Sequence, residues 1–315
     1  MECCKLSLKG VSTLLPILLL MMPIQMAAQE PGPKKVIYET NMCLSVDDVG
    51  GLAMIHALQN RGEVELLAVC LNEVHPSGAA AIDAVNTWYG RGDIPVGVYR
   101  GPFPDPDSSA FLDALAKFPH DIDIKSALSA LEVYRDVLAE QPDKSVTIIS
   151  VGFMNNLGDL LKNEPELVAK KVKELVIMGG HQGDDHNLGL HNTVSAAQNV
   201  LQNWPSPLVF HHLGHDVMTG AGLEETPVEN PVREAYFKFF GCKFSDYPSW
   251  DMITVLYGVR GASNYFTQTS SGTGSIPSGY KWDLKTRNDS FLEAFLPVEA
   301  YARIIEDLML EAPKK

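Results

Sequence analysis

Short apolar, often β-branched runs alternate along this chain with longer stretches of helical periodicity, and that alternation restricts the fold class more than any single residue does. Val36 to Tyr38 precedes an amphipathic helical stretch from Asp48 to Leu58. Val64 to Leu71, a helix around Ala79 to Tyr89, and Ile94 to Tyr99 follow. After a turn-rich segment, Leu128, Leu131, Tyr134, Val137 and Leu138 share one helical face, and Val146 to Val151 is strongly β-branched. Glu174 to Met178 ends in Gly179-Gly180, a helix spans Ala196 to Trp204, and Leu208 to His212 reads as one more strand. Strands that alternate with helices are joined by right-handed crossovers and therefore lie parallel. The pattern predicts an α/β fold: a mostly parallel open sheet of about six strands, flanked by helices. A C-terminal helical and hairpin elaboration follows. Pro231 to Phe240 and Trp250 to Val259 read as helices, Ser263 to Phe291 as a hairpin or long loop, and Val298 to Leu308 as a last helix.

The N-terminus has a different character. Lys5 and Lys9 precede an apolar run from Val11 to Met22, then Met26-Ala27-Ala28-Gln29. This order reads as a secretory signal, residues 1–28, cleaved near Ala28. The run is short for a membrane span, so no stable membrane insertion is expected after cleavage, and the protein is expected to be secreted or periplasmic. The competing reading is an uncleaved anchor. Residues 29–315 then form a single domain. That part contains Cys43, Cys70 and Cys242, an odd number that writes no disulfide framework. The formal charge of −14 becomes −15 without Glu2, Lys5 and Lys9. Such an acidic chain has no electrostatic footprint for nucleic acid, but it suits a divalent cation and a small neutral substrate.

In open α/β sheets, ligands collect beyond the carboxyl ends of the strands. The adjacent pair Asp47-Asp48 lies at such a strand-to-helix turn. Paired carboxylates there can grip a hard cation while one of them takes a proton from water. Acids are also favoured in the first turn of any helix, which is the plain alternative.

Four segments resemble the inosine-uridine-preferring nucleoside hydrolases, in particular the exported branch of that family. They are Glu39-Thr40-Asn41-Met42-Cys43-Leu44-Ser45-Val46-Asp47-Asp48, Ser150-Val151-Gly152-Phe153-Met154-Asn155-Asn156-Leu157, Val176-Ile177-Met178-Gly179-Gly180, and Pro248-Ser249-Trp250-Asp251. The resemblance covers nearly the whole chain beyond the signal. It implies cleavage of the N-glycosidic bond of a nucleoside or related ribosyl compound with the help of bound Ca²⁺, and it is compatible with a homo-oligomer. Carried over by position, Asp47 is the general base. Asp48, the Val151 carbonyl, Asp251 and Asn41 are the metal ligands. Asn72, Asn156, Asn187 and Trp250 form the substrate-facing set, with His75 an alternative to Asn72.

Several positions depart from the family pattern. Glu39, Asn41 and Ser45 stand where the family has aspartates, which predicts a weaker cation site because calcium affinity follows ligand charge. Asn187-Leu188-Gly189 stands where the family carries an acid and an amide that hold the sugar, with His191 or Asn192 as substitutes if the loop shifts. Trp250 replaces a histidine that protonates the leaving base in some members, so its expected role is stacking. The departures motivate two competing readings: a degenerate member that binds without turnover, and a hydrolase of another glycoside. His181, His186 and His191 are spaced too irregularly for a zinc site. Asn288-Asp289-Ser290 matches a glycosylation acceptor.

Overall fold

The first apolar run, Lys34–Thr40, forms β1 and leads through a tight turn into α1 (Asp47–Asn60). The alternation continues with β2 (Val64–Leu71), α2 (Gly78–Trp88), β3 (Val96–Val98), α3 (Leu112–Leu115), β4 (Leu128–Ser129) and α4 (Ala130–Glu140). Then come β5 (Val146–Ser150), α5 (Asn155–Asn163), α6 (Pro165–Lys171), β6 (Val172–Met178), α7 (His186–Gly189), α8 (Val194–Asn203) and β7 (Leu208–His211). The C-terminal part comprises β8 (Met218–Thr219), α9 (Pro231–Phe239), β9 (Tyr247–Pro248), α10 (Trp250–Arg260) and β10 (Phe266–Gln268). It ends with β11 (Thr273–Ser275), β12 (Lys281–Asp283), β13 (Ser290–Ala294) and α11 (Val298–Met309). This computed structural model describes residues 1, 32–179, 186–269, 272–275, 281–283 and 289–314. Chain contacts separate residues 1–32 from 33–315, and only the second unit is described below. The proposed signal segment, His181 and Asn288 lie outside the described residues, as do the side chains of His186 and Asn192.

Among the described residues, nine strands pair in the order β10-β13-β7-β6-β5-β1-β2-β3-β4. All neighbours are parallel except β10 and β13. From β1 the chain winds outward through β2, β3 and β4, then returns to the other side of β1 as β5. The strand order therefore reverses between β1 and β5, which opens a crevice beyond their carboxyl ends.

Side-chain alternation builds a core on each face. Val36, Tyr38, Ile149, Val176 and Val209 pack on the side of α1 and α10. Ile37, Ile148, Leu175, Ile177, Leu208 and Phe210 pack on the side of α4, α5 and α8. Each such fully buried aliphatic or Phe side chain contributes about 1.5–3 kcal/mol, so both faces are needed.

Three expectations change. The segment starting at Asp48 is not amphipathic: thirteen of the fourteen α1 residues are buried, because α10, α11, α2 and α9 pack against it in addition to the sheet. Gly50 and Gly51 make room for side chains of α9, α10 and β1; a Cβ at Gly50 would lie 2.8 Å from Tyr236 Oη and 3.0 Å from Met252 Sδ, and one at Gly51 2.5 Å from Tyr38 Oη. Leu128 is not on a helical face but 51% exposed in β4, since Ser129 caps α4 and forms a capping box with Glu132. Segment 263–291 is more than a hairpin or loop. It contains the antiparallel pair β11–β12, but β10 and β13 extend the main sheet, where Asp289 Oδ1 accepts from Leu208 N at 3.1 Å.

Cys43 and Cys70 are buried thiols, Cys242 is exposed, and none is in a disulfide. Among the described residues, no helix is long and apolar enough to cross a membrane.

Candidate active site

The crevice at the β1–β5 switch holds a cavity of about 310 Å³, whose wall includes Asn41, Ser45, Asp47, Val151, Asn187, His212, Tyr247, Trp250 and Asp251. Two helices begin here. Asp47 and Asp48 lie in the first turn of α1, and Asp251 in the first turn of α10. Neither helix takes a side-chain cap from these acids; the N-cap positions are Val46 and Ser249. Asp251 is only 2% exposed, so it is not a solvated helix-start acid. One ligand oxygen from each of Asp47, Asp48 and Asp251 lies within 4.8 Å of the others.

Three buried carboxylates this close repel one another, and burial adds to the cost of their charge. Burial raises Asp47 from the ordinary 3.8 to about 6, with a hydrogen bond from Ser45 opposing. Asp48 is raised well above the usual range by burial, then by the Asp47 charge. Asp251 is raised by burial, then by Asp47 and Asp48. Thr40 Oγ1 donates to Asp48 Oδ1, and Tyr38 Oη donates to the Asp48 backbone oxygen at 3.1 Å. Asp47 Oδ1 and Asp251 Oδ1 are buried and meet no hydrogen-bond donor. Buried acceptors without donors on the wall of a cavity have the chemistry that a hard, oxygen-seeking cation requires.

Val151 follows β5, and its carbonyl accepts from Asn187 Nδ2 at 2.8 Å. The same amide nitrogen donates to the Met178 carbonyl at 3.3 Å. These contacts orient the amide and leave Asn187 Oδ1 buried without a partner. Trp250 is half-buried on the wall, with its ring edge-on to Tyr247 at 6.0 Å. Its position depends on Gly214 in the loop after β7. A Cβ on Gly214 would lie 2.7 Å from Trp250 N, and Gly214 O accepts from Ser249 N at 3.0 Å.

The structure does not bring Asn72 or Asn156 onto the cavity wall. Asn72 Nδ2 and Asn156 Nδ2 each donate to Glu39 Oε1 at 2.8 Å, and Tyr134 Oη donates to Glu39 Oε2 at 2.6 Å. The reason is strand alternation: Glu39 follows Tyr38 and turns to the α4 face, and the two amides serve its buried carboxyl. Burial raises that carboxyl to about 7 against the three hydrogen bonds that lower it. Asn72 also accepts from Phe153 N at 3.0 Å, while Asn156 donates to Leu71 O at 3.1 Å. The pair thereby braces the ends of β2 and β5. His75 accepts from Ser77 N through Nδ1 and does not line the cavity. His191 turns away at a left-handed φ of 53°, where Nε2 meets Asp107 Oδ2 at 2.9 Å and the ring lies 4.9 Å from those of Phe103 and Phe153. It lines a neighbouring cleft instead.

Sequence reading assigned no role to His212 or Tyr247, which also line the cavity. His212 stands one residue beyond β7, and its position among the strand ends was the one available signal.

An open parallel sheet with a switch-point cavity, a buried carboxylate cluster at its edge and aromatic rings on its wall has the build of a small-molecule site. The sequence profile described as inosine-uridine preferring nucleoside hydrolase matches residues 36–273, and the chain belongs to that family. Among solved structures, a Bacillus anthracis inosine-uridine preferring nucleoside hydrolase superposes with a TM-score of 0.67 at 16% identity, covering 88% of this chain and 99% of that one. A plant nucleoside hydrolase gives 0.67 at 17% identity over 88% and 99%. The type III effector protein XopQ, solved with adenosine diphosphate ribose, gives 0.65 at 16% identity over 90% and 95%. At these identities the likeness establishes the fold. No curated protein sequence matches the chain.

Proposed function

We propose that this protein hydrolyses the N-glycosidic bond of a nucleoside or related ribosyl compound with Ca²⁺ held at the carboxylate cluster. The observation that carries this reading is the meeting of Asp47, Asp48 and Asp251 within 4.8 Å, with Asp47 and Asp251 on the cavity wall and one oxygen of each lacking a donor. Asp48, Asp251, the Asn41 side chain and the Val151 carbonyl supply the oxygen set. Val151 O already accepts one hydrogen bond, and a carbonyl has two lone pairs. Bound Ca²⁺ would lower the pKa of the attacking water and hold sugar hydroxyls.

Asp47 is the base. Burial raises its carboxyl to about 6 in the metal-free protein, and bound Ca²⁺ would lower it, so that Asp47 is an ionised carboxylate at neutral pH on the wall where water is held. Asn187 Oδ1, fixed by the two carbonyls its amide serves, accepts a hydrogen bond from a sugar hydroxyl and replaces part of the missing clamp. Trp250 and Tyr247 offer faces to an aromatic leaving group.

A second reading, binding without turnover, is favoured by Asn41 and by the amide hydrogen that Asn187 directs at Val151 O. Calorimetric titration with Ca²⁺, followed by an assay for free ribose from a panel of nucleosides, separates the two. Calcium binding with no ribose from any substrate would overturn the hydrolase reading, as would an unchanged rate in Asp47→Ala. Export rests on the apolar run 11–22 and is tested by N-terminal sequencing of protein recovered outside the cytosol. Light scattering of the purified protein tests self-association.

A further inference from the structure

We propose that His211 is a positioning residue: acting through Thr254, it sets the first turn of α10, and with it Asp251, Trp250 and the backbone N–H that serves Asp47. The assignment rests on the hydrolase reading above.

That turn carries much of the site and has little of its own to hold it. Asp251 gives a carboxylate to the cluster, Trp250 lines the cavity, and the Asp251 backbone N–H donates to the Asp47 carboxyl. Asp251 Oδ1 meets no donor, so the direction of its carboxyl depends on the backbone beneath it. The N-cap residue, Ser249, makes no capping bond with its side chain; its hydroxyl pairs instead with Thr219 Oγ1 at 2.8 Å. A helix start without a side-chain cap leaves its geometry to neighbouring elements.

His211, the last residue of β7, is fully buried and joins three of those elements. Its carbonyl accepts from Gly179 N, beyond β6, at 2.9 Å. Its Nδ1 accepts from Leu213 N at 3.2 Å, in the loop whose Gly214 O accepts from Ser249 N. Its Nε2 lies 2.7 Å from Thr254 Oγ1, in α10. Burial, followed by repulsion from His212, pushes the His211 imidazole down to about 3, so the ring is neutral at physiological pH. A neutral ring whose Nδ1 accepts a hydrogen bond carries its proton on Nε2. His211 therefore donates to Thr254 Oγ1, and the one hydroxyl hydrogen of Thr254 goes to the Trp250 carbonyl, 3.1 Å away. A threonine that bonds back to the carbonyl four residues earlier bends its helix. A threonine alone could rotate its hydroxyl; the imidazole removes that freedom, and the bend falls in the turn that carries Trp250 and Asp251.

The test measures calcium affinity by calorimetry, and kcat and KM on inosine, for wild type, Thr254→Ser and Thr254→Val. Serine keeps the hydroxyl, whereas valine keeps the shape without it. The expected result is a calcium Kd raised ~10-fold or more in Thr254→Val, with kcat lowered by a similar factor, against less than ~3-fold for both in Thr254→Ser. In ¹⁵N spectra of histidine-labelled wild type, the imidazole signals absent from His211→Gln should report the neutral Nε2–H tautomer from pH 5.5 to 8. The tautomer is read in wild type, so it decides the matter even if Thr254→Val does not fold. An Nδ1–H tautomer, or a Thr254→Val protein that binds calcium and turns over as wild type does, would overturn the assignment and leave the hydrolase reading standing. Equal losses in the serine and valine variants would also overturn it, because packing rather than the hydroxyl would then be responsible. If wild type neither binds calcium nor releases ribose, the hydrolase reading falls and takes this one with it.

Discussion

The carboxylate cluster makes the metal-free protein less stable than its fold allows, and Asp47→Asn measures by how much. Asp47 is fully buried, and its carboxyl moves from 3.8 to about 6, chiefly because burial penalises the charge. A folded-state value above the unfolded one means that the folded chain binds more protons between these two pH values. Stability therefore falls as pH rises through that window, and the cost is complete above about pH 6. At about 1.4 kcal/mol per pH unit, holding the charge costs about 3 kcal/mol at pH 8. Asparagine keeps the shape and removes the cost. Asp48 and Asp251 also gain, since the Asp47 charge raises both. In a chain of this size, 3 kcal/mol corresponds to a Tm rise of about 5 °C. The assay is thermal unfolding in chelator from pH 4.5 to 8, repeated with excess Ca²⁺. The variant should melt higher than wild type at pH 8, and the difference should close towards pH 4.5. Calcium at 100 times its Kd should then return about 2.7 kcal/mol to wild type and less to the variant. A variant that melts at or below wild type at pH 8 in chelator would refute the reasoning. So would an advantage that grows as pH falls.

Two further substitutions test how the site is held. A Cβ at Gly152 would lie 2.5 Å from Asn41 N and 2.6 Å from Asn72 Oδ1, so Gly152→Ala should cost about 1–3 kcal/mol and weaken calcium binding in a titration. An unchanged melting temperature would show that the turn has room the structure denies it. Tyr134→Phe removes the donor at 2.6 Å from Glu39 and should cost about 1–3 kcal/mol. Because that hydrogen bond favours the ionised carboxyl, its removal raises Glu39 further above about 7. The loss should be larger in urea unfolding at pH 8 than at pH 5.5, and equal losses would count against the assignment.

What could be read in advance was local. The β-branched run at Val146 and the alternating helices announce a parallel sheet because their periodicity lies within a few consecutive residues. The adjacency of Asp47 and Asp48 marked that pair for the same reason, whereas Asp251, about 200 residues away, was named only through the family resemblance. β10 and β13 were missed because three to five residues carry too little pattern to count as strands. The amphipathic reading of α1 failed because most of its cover beyond the sheet comes from α10 and α11, about 200 residues further along. Asn72 and Asn156 sat correctly beyond their strands, yet whether an amide faces the cavity or Glu39 depends on how β1, β2 and β5 stand beside one another.

By itself, the sequence determined the fold class, the family and the identity of the acids, since periodicity and motif are properties of neighbouring residues. Only the tertiary structure decided which oxygens lack donors, that Asn187 engages the Val151 carbonyl, and that His212 rather than His211 faces the cavity. Those facts depend on side-chain direction and burial, and both arise only when strands distant in the chain are set side by side.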